Sequence, residues 1–278
     1  MPKLSVSEIT TKDWTFEQDV RGYAAAGLDG MGLWRDKLDR FGEQQGIELL
    51  QEVGLPVANV VDAGYFPRKT RSQTELQIQD TIEALRLTSR LSCDCLLIVS
   101  GEVGSFFRSR EEAVDIVVAA LRRLAPMADE QGVNLALEPI HPMYIGYTFL
   151  HTIADTREVL ERVDHPRVGL FLDTYHLWQE EDLLAQIEAV AGKIFGVHVS
   201  DWREPPRSPS DRALPGTGVM PLGEMLRAIE RTGYEGFYDI ELFSEELWQW
   251  VAPGCWRSAS EPSLRCRSEG EVYQERRW

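Results

Sequence analysis

Residues 168–199 read VGLFLDTYHLWQEEDLLAQIEAVAGKIFGVHV. An apolar run stops at Asp173, an amphipathic stretch follows, and a second apolar run closes around His198. Short continuous apolar runs bounded by polar residues mark strands buried on both faces, as in parallel sheets. The same unit recurs along the chain. Runs near 3–9 (KLSVSEI), 29–34 (DGMGLW), 56–61 (PVANVV), 95–100 (CLLIVS), 133–138 (VNLALE), 168–173, 194–199 and 236–241 (GFYDIE) alternate with helix-like segments. Within 109–131, Val114, Val117, Val118, Leu121, Leu124, Ala125 and Ala128 form the stripe of a helix lying on a core. Eight strands separated by helices over about 250 residues predict an α/β fold, a single closed (β/α)8 TIM barrel spanning residues 1–250. An open doubly wound sheet is the weaker reading, because no G-x-G-x-x-G follows the first strand.

Local signals punctuate this pattern. Thr15-x-x-Gln18, Ser72-x-x-Glu75 and Ser109-x-x-Glu112 read as capping boxes. Pro221 suits a first helical turn, and Gly132 and Gly233 suit helix ends. Pro126 predicts a kink or an early end inside the 109–131 stripe. The stretch SDWREPPRSPSDRALPGTGV at 200–219 is proline-rich and aperiodic, the mark of a functional or disordered loop. After SEELWQW at 244–250 the helical pattern stops at Ala252-Pro253-Gly254. The eighth helix is therefore expected to be short or replaced, and residues 251–278 to form an irregular C-terminal tail.

Composition narrows the function classes. The chain has 278 residues, with 29 Lys and Arg against 45 Asp and Glu, a formal charge of −16. Such a surplus repels phosphate backbones and anionic lipid, so neither nucleic acid nor a membrane is an expected partner. Hydrophobic residues at 43% and charged residues at 27% describe a soluble globular chain. No apolar run approaches the ~18 residues of a membrane span, and MPKLSVSEITTKDW lacks a signal-peptide core. The four cysteines are Cys93, Cys95, Cys255 and Cys266. Strand residues two apart share a face, which makes a Cys93–Cys95 disulfide awkward; reduced thiols and a cytoplasmic location are expected.

Four consecutive strand candidates end alike, at a side chain able to bind metal: Glu138, Asp173, His198 and Glu241. In a barrel all four would reach the C-terminal rim and converge. Buried carboxylates are costly unless a cation or partner compensates them. Three carboxylates and an imidazole around one point therefore predict one divalent metal ion, Mn2+, Mg2+ or Co2+ in preference to Zn2+. An ion chelating a ketone and a neighbouring hydroxyl acidifies the C–H between them. Glu138 and Glu241, three strands apart, would flank that carbon as an acid/base pair, with Asp173 and His198 mainly as ligands. Their order of action is open.

These residues also carry a family resemblance. ALEPIHP, GLFLDTYHLW, GVHVSDW, DRALPGTG and DIELF resemble the sugar phosphate isomerase/epimerase family, the xylose isomerase-like barrels that include ketose 3-epimerases and the inosose isomerases and dehydratases. The resemblance covers roughly residues 4–250 and is most specific in the second half. It implies that Glu138, Asp173, His198 and Glu241 bind one divalent metal. It further implies that His176, in D-T-x-H, lies beside the substrate and that Arg212 contacts substrate oxygens. The family often has G-D-G where this chain has Gly216-Thr217-Gly218, a departure. Relatives that form dimers or tetramers make a homo-oligomer the weak expectation.

Around this set, His141 is close enough to the rim to line the pocket. Trp14, Trp34, Trp178 and Trp202 follow strands one, two, six and seven and suggest an aromatic-lined cavity for a sugar or cyclitol. Arg203 and Arg207 could meet a phosphate, though so acidic a chain favours a neutral polyol. The leading expectation is a metal-dependent isomerase or epimerase of a small ketose, keto-acid or ketocyclitol. The alternatives are a lyase dehydrating an inosose or a 3-keto sugar, and a non-catalytic sugar-binding barrel. A phosphodiesterase of the abasic-DNA repair type needs histidines from early strands, and none precedes His141.

Overall fold

The structure, a computed structural model, describes residues 2–104, 109–144, 146–208 and 210–250. It begins with β1 (Lys3–Ser7), a short helical turn (Glu8–Thr11), α1 (Phe16–Ala25), β2 (Gly30–Trp34), α2 (Arg35–Phe41), α3 (Glu43–Val53) and β3 (Val57–Gly64). Then come α4 (Arg71–Arg90), β4 (Cys95–Val99), α5 (Arg110–Gln131), β5 (Asn134–Glu138), α6 (Ile153–Val163), β6 (Val168–Asp173), α7 (Thr174–Leu177), α8 (Leu183–Ala189) and β7 (Ile194–Val199). The chain continues through β8 (Asp201–Trp202), β9 (Arg212–Ala213), α9 (Leu222–Arg231), β10 (Phe237–Ile240) and α10 (Glu245–Trp250).

Strands β1 to β7 and β10 close into a barrel, β10 lying between β7 and β1. Every paired neighbour runs parallel. Each of the eight apolar runs holds one of these strands; the largest difference is at β3, which continues to Gly64. Helices cover the outside of the ring. On α5 the expected stripe is the buried one, with Val114, Val117, Leu121 and Leu124 fully enclosed. Burying each such side chain contributes about 1.5–3 kcal/mol.

The 200–219 stretch is more ordered than its composition suggests. Asp201 and Trp202 pair antiparallel with Ala213 and Arg212, so β8 and β9 make a small hairpin above β7. The eighth helix, α10, is described only to Trp250. The expected irregular tail, 251–278, lies outside the described residues, as do Cys255 and Cys266. Cys93 and Cys95 are buried free thiols.

One local expectation is corrected, and at Pro126 the helix does not end early. The cap of α4 is Thr70 with Gln73, not Ser72 with Glu75, since Thr70 accepts from Gln73 N and Gln73 answers from its side chain. The Thr15–Gln18 box is present, and Ser109 accepts from Glu112 N. Helix α5 runs through Pro126 to Gln131 and closes at Gly132. Pro126 sits on the exposed face of α5, so the Arg122 carbonyl it leaves unpaired can turn to water. Replacing it should restore that bond: Pro126→Ala is expected to raise unfolding free energy by about 1–2 kcal/mol, below the ~3 kcal/mol helix-interior penalty of proline. A urea titration checks this, and a lowered midpoint would contradict it.

Candidate active site

Four neighbouring barrel strands deliver the site. Glu138 ends β5, Asp173 ends β6 and His198 is the penultimate residue of β7. Glu241 follows β10 directly, and its amide donates to the Val199 carbonyl at 3.2 Å, which prolongs the ladder by one residue. Cross-strand register sets Asp173 opposite His198, and His198 opposite Asp239. Residues in register in parallel strands face the same side, so these side chains share one row.

The four predicted ligands come together in a dry place. Exposure is 5% at Glu138, 0% at Asp173 and His198, and 4% at Glu241. His198 Nδ1 lies 3.3 Å from Glu241 Oε2 and 3.8 Å from Glu138 Oε1. Donor atoms of Asp173, His198 and Glu241 fall within 4.8 Å of one another, as do those of Glu138, Asp173 and His176. His176 was expected on the substrate side; its position also puts it within reach of the ligand group.

Arg212 enters this cluster from the hairpin, 2% exposed. Its Nη1 donates to Asp173 Oδ2 at 2.8 Å and lies 2.9 Å from Glu241 Oε2. Its Nη2 is 3.2 Å from His176 Nε2, and its guanidinium stacks over Tyr175 and Phe243 at 4.6 and 5.0 Å. Asp173 Oδ1 accepts from Tyr175 N at 2.7 Å and so starts α7, the turn that carries His176.

The electrostatics follow from this packing. Burial, together with the Asp173 and Glu241 charges, pushes the Glu138 carboxyl well above its usual range. Burial also lifts Glu241, but the adjacent His198 and Arg212 charges outweigh it and hold that carboxyl low. For His198, burial opposes charging while Glu241 and Asp239 more than reverse it, so the imidazole is raised well above its ordinary value. Burial and the Arg212 charge drive His176 the other way, leaving it neutral. Four buried carboxylates, Glu138, Asp173, Asp239 and Glu241, thus face one guanidinium and one imidazole. Neither nitrogen of His198 makes a hydrogen bond of good geometry. This oxygen-rich surplus with one nitrogen donor fits a hard or borderline divalent cation among Glu138, Asp173, His198 and Glu241.

The aromatic surroundings sort the remaining expectations. Trp202 is buried with its ring 4.7 Å from Tyr175, 5.6 Å from Trp178 and 5.5 Å from His141. His141 is half-buried on the rim, its Nε2 3.1 Å from Gln179. Trp34 stands at the end of β2, donates from Nε1 to Ser7 Oγ at 2.9 Å, and meets Phe243 edge-on. Trp14 lies in the core, 5% exposed. It packs on α1, where a side chain at Gly22 would strike its ring at 2.5 Å, and it contacts Tyr23. These contacts pack it between the loop after β1 and α1.

A family model described as xylose isomerase-like TIM barrel matches residues 20–265. The chain belongs to that family. It is 31% identical over 157 residues to an inosose isomerase of Halalkalibacterium halodurans, covering 55% of this chain and 54% of that one. It is 31% identical over 147 residues to a ketose 3-epimerase of Arthrobacter globiformis, covering 50% and 46%. An inosose dehydratase of Geobacillus thermodenitrificans is 28% identical over 146 residues, covering 47% of each. The chain thus spans about half the length of these curated relatives. Among solved structures, a Sinorhizobium meliloti protein superposes with a TM-score of 0.85 at 30% identity, covering 91% of this chain and 93% of that one. The IOLI protein, crystallised with a zinc atom, gives 0.80 at 23% identity, covering 90% and 92%, and supports the fold alone.

Several working residues escape a reading of the sequence. Asp201 is 1% exposed and accepts from four backbone amides, those of Trp202, Gly216, Gly218 and Met220. A Cβ at Gly218 would lie 2.3 Å from Asp201 Oδ1, so this approach requires glycine. Thr217, at the departure from G-D-G, donates from its hydroxyl to the Leu214 carbonyl at 2.8 Å and so takes part in the turn. Its neighbours Ser200 and Trp202 make Asp201 look like one more loop acid. Glu8, directly after β1, is 0% exposed and holds Trp34 by accepting from its amide at 2.7 Å. Beside it Lys37 Nζ pairs with Asp19 at 2.6 Å.

Burial and the Asp19 charge raise the Glu8 carboxyl well above its usual value. A carboxyl raised on folding stabilises fully below its unfolded pKa, and the contribution fades as pH climbs toward the folded value. Glu8→Gln keeps an acceptor for Trp34 and removes the buried charge. Its melting temperature is expected to exceed the parent's at pH 8, with the difference vanishing below about pH 4. Equal melting curves at both pH values would contradict the raised carboxyl.

Proposed function

We propose that the protein is a divalent-metal-dependent isomerase or epimerase of a small ketose, keto-acid or ketocyclitol, working by proton transfer through an enediolate. The observation that carries this reading is the approach of two buried glutamates, from strands three apart in the ring, to the same nitrogen of His198. Glu138, Asp173, His198 and Glu241 would hold the ion, with Mn2+, Mg2+ or Co2+ favoured by the oxygen-rich set and Zn2+ accommodated. When bound, the ion polarises the substrate carbonyl and acidifies the adjacent C–H. Glu138 and Glu241 then stand on either side of that carbon: one carboxylate takes its proton, and the other returns a proton to the opposite face. Arg212, whose Nη2 lies 3.2 Å from His176 Nε2, would donate to substrate oxygens, with the neutral, buried His176 on the same side.

A neutral polyol suits the surroundings. Arg203 and Arg207, the candidates for meeting a phosphate, are engaged by Asp211 and Glu246. The tilted rings of Trp202 and Trp178, backed by the buried Tyr175, would supply aromatic surface for a sugar or cyclitol. The lyase reading is favoured by the dehydratase relative. It starts from the same proton abstraction and differs by loss of a hydroxyl one carbon further on, which would leave an unsaturated, UV-absorbing product.

Metal analysis followed by a keto-sugar and inosose panel in D2O tests the proposal. Deuterium is expected at the carbon next to the carbonyl, with turnover lost to a chelator and restored by Mn2+. Glu138→Gln and Glu241→Gln should each lower kcat by about 10²–10⁴-fold. Unchanged turnover in either variant, or a purified enzyme active without any divalent ion, would sink it.

A further inference from the structure

Beside His198, in the same row, lies a carboxylate that the proposed reaction does not use. Asp239, on β10, is 0% exposed and stands in register with His198 on one side and Ser5 on the other. Its Oδ2 is 3.4 Å from His198 Nε2, the ring nitrogen remote from the glutamates. The two nitrogens of the imidazole therefore look in different directions: Nδ1 toward Glu138 and Glu241, Nε2 toward Asp239.

The aim of Asp239 is fixed by other strands, not by the histidine. Ser5 Oγ donates to Oδ1 at 2.6 Å from β1, and Asn59 Nδ2 donates to Oδ2 at 2.9 Å from β3. On β2 the position beside it is Gly32, where a Cβ would fall 2.1 Å from Oδ2. The Phe171 ring packs edge-on against the imidazole at 4.4 Å and offers it no acceptor. A buried carboxylate serving the core alone would need only its two donors. Here it also faces, at 3.4 Å, a ring nitrogen that has no hydrogen-bond partner.

We propose that Asp239 is the positioning residue of His198, receiving Nε2–H and thereby presenting Nδ1 to the cation in one ring orientation. Histidine ligands commonly donate their second N–H to a carboxylate, which fixes both tautomer and ring angle, and removing that partner weakens metal binding about 10–100-fold. The inference rests on the reading of His198 as a ligand and deepens it. Ser5 and Asn59 then act one step further out, by holding the carboxylate.

Calorimetric titration of Mn2+ into the parent, D239N and S5A, with melting curves for all three, is the test. It is paired with 15N spectra of labelled histidine in the Zn2+-loaded proteins. The expected result is a parent with Nδ1 bound and Nε2 protonated, and a folded D239N about 10–100-fold weaker for Mn2+ with that nitrogen selection relaxed. S5A, which loses only the bond to Oδ1, should weaken less. A folded D239N that keeps the parent's affinity and the same bound nitrogen overturns the role of Asp239 and leaves the ligand reading standing. A parent that binds no divalent ion overturns both. If D239N does not fold, S5A decides: weakened binding supports the role and unchanged binding overturns it.

Discussion

Asp173 and Glu241 share one hydrogen-bonding nitrogen of Arg212, at 2.8 and 2.9 Å, in a place closed to water. Opposite charges at such range in a poorly polarisable interior interact strongly, and each becomes expensive if its partner leaves. Much of the rim answers to this constraint. β6 and β10 bring the acids, the β8–β9 hairpin brings the guanidinium, and Tyr175 and Phe243 cover its faces. Asp201, with its four backbone amides, keeps the hairpin and the 214–220 turn in fixed relation.

The same charge density explains why similar side chains differ in their proton affinity. Glu138 and Glu241 are both buried glutamates, yet one is pushed up and the other held down, because only Glu241 has the guanidinium at contact distance and the imidazole closer by half an ångström. His176 and His198 diverge for the converse reason: one neighbours Arg212, the other neighbours carboxylates. Position within the ring, rather than residue type, sets the direction in which each group's proton affinity moves.

Much of the architecture is legible in the sequence because parallel strands buried on both faces read as unbroken apolar runs. Glu138, Asp173, His198 and Glu241 stood out for a related reason, each interrupting or ending such a run. What stayed hidden has physical causes too. Asp239 lies inside GFYDIE, and its meaning depends on Ser5 and Asn59, far off in the chain. Inward spacing of two from Glu241 was the signal available, since strand residues two apart share a face. The packing of Trp14 on α1 was hidden because position after a strand does not say which way a ring turns. Pro126 does not end its helix early because it faces water, which one residue cannot announce. The hairpin in 200–219 is held by Asp201 and by ion pairs, neither of which leaves a periodic trace.

The loop before β9 is tied to the last described helix. Arg203 and Arg207 both reach Glu246 on α10, the Glu245 amide donates to the Ser210 carbonyl, and the Arg212 amide donates to the Phe243 carbonyl. The seam where the ring closes and the arm carrying the buried guanidinium are thus one mechanical piece. Wear at that seam, by added salt or by a lost carboxylate at Glu246, would reach the buried guanidinium through the arm that carries it.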